Sequence, residues 1–200
     1  MSGAVTVAAV RWDELFADIE SQLEQELDTE ARLFAAEEER LRLARLGLRD
    51  RMIALARGAH PLALVLLDGE TVTLRLETVG RDWVAGETEL GTVSRAVVVP
   101  LQAVAAVLPR RDQLGLQLPG PDAVPDLGAR LGIGFVLRDL CRRRVGVELR
   151  TRAGVVNGTI DRVGRDHLDL AEHDAGEARR DRVVRRIRLV PFDAILRVTA

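Results

Sequence analysis

Residues 145–174 read VGVELRTRAGVVNGTIDRVGRDHLDLAEHD, and beyond a charged loop residues 187–198 read IRLVPFDAILRV. Apolar and polar residues alternate along much of this stretch, the period of a strand with one buried face. Parts of it recur upstream. Val79-Gly80-Arg81-Asp82 precedes Val163-Gly164-Arg165-Asp166 by 84 residues, and Ala44-Arg45-Leu46-Gly47 precedes Ala129-Arg130-Leu131-Gly132 by 85. Val99-Pro100-Leu101-Gln102-Ala103-Val104 precedes Val190-Pro191-Phe192-Asp193-Ala194-Ile195 by 91, the extra length falling in the second copy's loop at 171–186. Ordered matches at nearly constant offset predict a duplicated unit, each copy a helix followed by about five short strands.

Working outward, residues 1–11 read as a disordered tail and 12–58 as an acidic helical arm. Trp12, Phe16, Ile19, Leu23 and Leu27 recur at spacings of four, three, four and four, one apolar seam on a helix. Asp28 or Thr29 can cap a second segment, Gly47 can mark another break, and Gly58 ends the helical character. The period changes to two at Leu62. The first strand set, 59–108, has a hairpin turn at Asp68-Gly69, a turn at Gly80-Arg81-Asp82, a loop at Gly86–Thr92, a fourth strand at Arg95–Val99 and a short fifth at Gln102–Val107. Residues 109–126 hold four prolines and read as a linker; 127–144 form a helix capped by Asp126, and 145–200 the second strand set.

The chain is 47% apolar and only 3% aromatic, so its core is aliphatic. All 29 basic residues are Arg, and net charge is −2. Residues 1–100 carry 11 Arg and 18 acids, whereas residues 101–200 carry 18 Arg and 13 acids, an acidic front half and a basic rear half. The single cysteine, Cys141, has no internal disulfide partner, which fits a reducing compartment. The run Ala4–Val10 lacks a basic leader and is too short to span a bilayer, so the expectation is a cytoplasmic protein with no membrane partner.

A helix followed by five short, bent strands resembles the Sm-like family, including the bacterial Sm-like RNA chaperones, and is similar to SH3-like and PRC-type small barrels. The match is better over residues 128–198. Gly158, Ile160, Val163, Leu168 and Leu170 follow the family's second and third strands, and residues 193–198 its closing strand. A glycine such as Gly158 suits a strand that bends sharply; the first copy has Thr73-Leu74 at the corresponding place. The resemblance implies an α+β fold: an N-terminal long helix or helical hairpin, then two helix-plus-five-strand small β-barrels in tandem. It also implies RNA binding, but the family's pore residues are absent. Pro191-Phe192-Asp193 and Pro100-Leu101-Gln102 stand where basic residues and histidine line that pore, and Gly164 stands where an Asp commonly follows the position of Val163.

No P-loop, dinucleotide fingerprint or nucleophile elbow occurs, and no catalytic constellation, cofactor or metal is expected. Asp166, His167, Asp169, Glu172, His173 and Asp174 are the nearest approach to a metal set and read as a charged strand end and loop. Two binding readings follow. Arg142, Arg143 and Arg144 end the second helix, Arg150 and Arg152 share a strand face, and Arg179, Arg180, Arg182, Arg185, Arg186 and Arg188 line the long loop and fourth strand. On one side of the fold they form a surface for RNA or DNA phosphates. Alternatively, the seam Trp12, Leu15, Phe16, Ile19 and Leu23 docks a protein partner or a second copy, making the chain an adaptor or oligomerising scaffold.

Overall fold

The computed structural model describes residues 12–58, 60–90, 93–113 and 127–200; the expected tail and the Asp126 cap lie outside these. The chain divides into two compact units, ending and beginning between Leu46 and Gly47. In the first, a single helix α1 runs from Trp12 to Ala44. It does not break at residue 28: the Thr29 hydroxyl donates back to the carbonyl of Gln25 at 2.7 Å, a bond within a continuing helix instead of a cap.

The second unit opens with α2 (Leu48–Ala56), whose capping acid Asp50 accepts from the Gly47 N–H at 3.0 Å. Five strands follow: β1 (Leu62–Leu66), β2 (Thr71–Val79), β3 (Trp83–Leu90), β4 (Val93–Pro100) and β5 (Val104–Leu108). After the Pro-rich stretch come α3 (Ile133–Arg142) and five more: β6 (Gly146–Thr151), β7 (Gly154–Val163), β8 (His167–Glu172), β9 (Arg186–Pro191) and β10 (Ile195–Thr199). The expected loop at 86–92 is smaller, since β3 runs on to Leu90.

The expected pair of tandem barrels is not what forms. The strands make one open, antiparallel ten-stranded sheet in the order β5-β1-β2-β3-β4-β10-β6-β7-β8-β9. The fourth strand of the first half is not closed against β5. It pairs with β10, the last strand of the second half, in the register Val198↔Val98 and Thr199↔Val97. Val97, Val98 and Val99 are all buried, so β4 has apolar side chains on both faces and requires cover beyond β3. β10 supplies it.

The cores interlock accordingly. Leu196 of β10 is buried with Met52, Leu64, Leu74 and Val99 of the first half, while Trp83 and Val98 are buried with Ile133, Leu137, Leu149 and Leu170 of the second. Removing either half therefore strips apolar cover from the other.

The ladders repeat residue by residue. Leu64↔Val107 and Val65↔Ala106 between β1 and β5 correspond to Leu149↔Val198 and Arg150↔Arg197 between β6 and β10, with a register shift at the same place. Val84↔Val99 corresponds to Leu168↔Val190. The one-residue change in offset lies in the first hairpin: Val65 faces Thr71, but Arg150 faces Val155. Gly69 (φ 87°) and Gly154 (φ 120°) take the left-handed conformation these turns need.

Strand crossing requires a close backbone approach in each half. At Gly158 a Cβ would lie 2.3 Å from the Ala171 carbonyl oxygen. In the first half the glycine has moved to the neighbouring strand: at Gly86 a Cβ would lie 2.0 Å from the Arg75 carbonyl oxygen.

Candidate functional site

Eight of the eleven arginines expected to face nucleic acid have acidic partners within the chain. Arg142 and Arg143 both reach Asp139, one turn back on α3. Arg144, in the left-handed conformation at φ 53° just past the helix, meets Asp161 at 3.0 Å. Arg179 returns from the long loop to the same carboxylate at 2.9 Å and also holds Asp181 at 2.6 Å. Arg185 pairs with Asp174, while Arg186 and Arg188 of β9 converge on Glu172 of β8 at 3.2 and 2.9 Å. Arg152, Arg180 and Arg182 are exposed.

The hydrogen bond from Arg179 holds the Asp161 carboxyl below its ordinary pKa, and that from Arg188 does the same for Glu172. Both acids therefore stay charged across the physiological range, and most of the arginine charge is neutralised locally.

Arg150 joins residues that lie far apart along the chain. It crosses the β4–β10 junction to Asp68 at 2.5 Å and Glu70 at 2.8 Å, in the first half's hairpin turn. Beside it, Arg197 bridges Glu70 and Glu148, both at 2.6 Å. The Arg150 hydrogen bond keeps the Asp68 carboxyl below its ordinary range. Arg197 escaped sequence reading because its two acidic partners lie 127 and 49 residues away.

The histidines do not gather a metal set. His173 is buried, its Nδ1 2.9 Å from the Asp174 carbonyl oxygen and its Nε2 2.9 Å from the Thr159 hydroxyl. A carbonyl only accepts, so Nδ1 carries a proton, and in the neutral ring Nε2 accepts from the Thr159 hydroxyl. Both ring nitrogens are occupied. His167 bonds Asp166 at 2.8 Å on the surface. Among the described residues no cluster of three or more His, Cys, Asp or Glu is arranged to hold an ion. Cys141 is half-buried, its Sγ 3.4 Å from the Asp161 carbonyl oxygen.

No protein-family model, no curated protein and no solved structure matches this chain. Its surfaces must therefore be weighed on their own geometry. Among the described residues no helix is long and apolar enough to cross a membrane.

On α1, the side chains of Trp12, Leu15, Phe16 and Ile19 lie outside what the structure describes. Leu23 is 54% exposed, and Leu27, Phe34 and Leu41 are exposed too. At 100° per residue these four fall within an arc of about 40°, so the seam runs well past the residues the sequence singled out. The signal was present as seven-residue steps from Leu27 to Phe34 to Leu41.

The two Val-Gly-Arg-Asp turns share one backbone scheme. Gly80 donates to the Trp83 carbonyl and Gly164 to the His167 carbonyl, both at 2.8 Å. The Asp82 carbonyl accepts from Leu101 at 2.9 Å and that of Asp166 from Phe192 at 2.8 Å. Their side chains have different work. Asp82 accepts the Ile133 N–H at 2.8 Å, capping α3, and the Trp83 indole N–H reaches the Leu131 carbonyl at 2.9 Å. At the second turn, Arg165, Asp166 and His167 line an open groove of about 650 Å³ with Leu189 and Phe192.

Proposed function

We propose that the protein is a non-enzymatic adaptor whose α1 docks a protein partner that presents an apolar stripe flanked by basic residues. The observation that carries this reading is the exposed stripe Leu23, Leu27, Phe34 and Leu41 on a helix of 33 residues. A helix gains most of its stability from packing an amphipathic face, so an uncovered stripe of this length is a surface awaiting cover. Charge selects the occupant. The helix carries eleven acids against three arginines, so a second acidic copy is repelled and a basic one attracted. Local pairing of the second-half arginines argues against the nucleic-acid alternative.

A synthetic basic amphipathic peptide tests this by calorimetric titration of the full chain. Binding that weakens with salt, and falls at least tenfold in Leu27→Glu and Phe34→Glu, supports it. Absence of binding, or binding indifferent to both substitutions, sinks it. So does tighter, steeply salt-dependent binding of a single-stranded oligonucleotide that is lost on replacing Arg152, Arg180 and Arg182.

A further inference from the structure

Polar burial in this protein is concentrated at one place. Among the described residues four polar side chains are buried, and three of them, Thr159, His173 and Thr199, border one cavity of about 890 Å³. Its floor is one face of the sheet across four neighbouring strands. Thr199 of β10 faces Glu148 of β6, which faces Asn157 of β7, and Gly146 faces Thr159. Directly opposed residues in a ladder share a face. Arg95 shares it too, two residues along β4 from Val97, the partner of Thr199. The loop after β8 walls the cavity with Asp174, Glu177 and Arg179.

The arrangement is held in place by bonds within the protein. His173 is fixed between the Thr159 hydroxyl and the Asp174 carbonyl, and its backbone N–H donates to the Asn157 carbonyl at 3.2 Å. Arg144 and Arg179 lock the rim by sharing Asp161. The first half has no such set: Ala63 and Leu108 occupy the ladder positions of Glu148 and Thr199. The cavity is therefore not a by-product of the repeat.

Three groups at the cavity lack a partner. The Thr199 hydroxyl is buried and bonds nothing. A buried hydroxyl without a partner destabilises a protein, so its place at the border of a cavity points to a partner from outside. Arg95 on one side and Glu177 on the other have no ion-pair partner among the described residues. Unpaired charges of opposite sign across a neutral hydrogen-bonding floor match a zwitterion. No Phe, Tyr or Trp lines the cavity, so bases and sugars find no stacking platform there. Separation then selects length. Arg95 stands three strands from β7, on which Arg179 pins the Glu177 loop. Strands lie about 4.8 Å apart, too wide a span for the adjacent charges of a free amino acid, whereas an extended peptide gains about 3.3–3.6 Å per residue.

We propose that this cavity binds a short polar peptide with free termini, about two to three residues long. Its carboxylate meets Arg95, its ammonium meets Glu177, and its backbone amides bond the Asn157 amide and the Thr199 hydroxyl.

Two-dimensional NMR titration of the full chain with triserine tests it. Saturable shifts are expected at Asn157, Thr159, His173 and Thr199, and none with triserine blocked by acetyl and amide groups at its ends. Arg95→Gln and Glu177→Gln should each weaken binding at least fivefold. Thr199→Val separates a ligand role from a structural one: losing an unpartnered hydroxyl should raise the melting temperature of the free protein while weakening peptide binding. Gly146→Leu, where an added Cβ meets no atom within 4 Å, should fill the cavity and abolish binding with the fold intact by circular dichroism. Phe34→Glu leaves binding unchanged, which separates this site from the α1 surface. The proposal is overturned by an absence of saturable shifts with triserine, triglycine and triasparagine up to about 10 mM. Equal binding of the blocked peptide, retained affinity in folded Gly146→Leu, or a lower melting temperature in Thr199→Val overturns it as well.

Discussion

The two Val-Gly-Arg-Asp turns have the same backbone hydrogen bonds and the same place in their ladders, yet their aspartates live in different surroundings. The Asp82 carboxylate holds the N-terminus of a helix belonging to the other half, whereas the Asp166 carboxylate bonds the neighbouring His167 at an open groove. The same contrast separates Val98 from its counterpart Leu189 and Ile133 from its counterpart Leu48. In each pair one member is spent on joining the two halves and the other remains at an end. A repeat thus uses one position twice, internally as part of the fold and at an end as surface.

The largest effect should come from removing a residue that joins the halves. Leu196→Ala empties a fully buried site in the first core and should cost about 2–5 kcal/mol in equilibrium urea unfolding. A smaller loss with an unchanged m-value would mean that β10 contributes little to the first core. Gly86→Ala and Gly158→Ala force a methyl onto a facing carbonyl and should each cost about 1–3 kcal/mol. Neutrality at Gly86 would contradict the relocated crossing glycine.

Asp82→Ala should lose about 1 kcal/mol of stability as α3 loses its cap, whereas Asp166→Ala should stay within about 0.5 kcal/mol. Equal losses, measured by thermal unfolding, would erase the distinction between the two turns.

The junction ion cluster gives a pH signature. Asp68 is held below its unfolded pKa by Arg150, so its stabilisation is present above that value and is lost as pH falls through the folded value. Stability should therefore decline with acidification beginning near about pH 4, and Arg150→Met should remove the part due to Asp68. An unchanged pH slope in the variant would show that this pair makes no net contribution.

Much of the fold could be read locally. The strand period beginning at Leu62, the turns at Gly69 and Gly154, and the helix end near Gly58 each follow from residues within a few positions of one another. The duplication was legible as well, including the change of offset by one residue, though only the strand register places that residue in the first hairpin. The first half's crossing glycine is not at the equivalent position on β2, because Gly86 makes the same approach from β3. The arginines were legible as a cluster but not as partners. Arg179 finds Asp161, and Arg150 finds Asp68, only when distant segments meet.

The set of elements and their doubling thus follow from local sequence, because propensity, turn geometry and apolar period act over short chain distances. The partner of β4 does not. A strand with valines on both faces requires a neighbour, and β5 and β10 occupy equivalent positions in the two ladders. Closure within one half and pairing between halves satisfy the same period-two pattern. The outcome rests on burying Leu196 in one core and Val98 in the other, with Arg150 and Arg197 crossing to Asp68 and Glu70. Those contacts span the whole length of the fold and leave no mark on any single stretch.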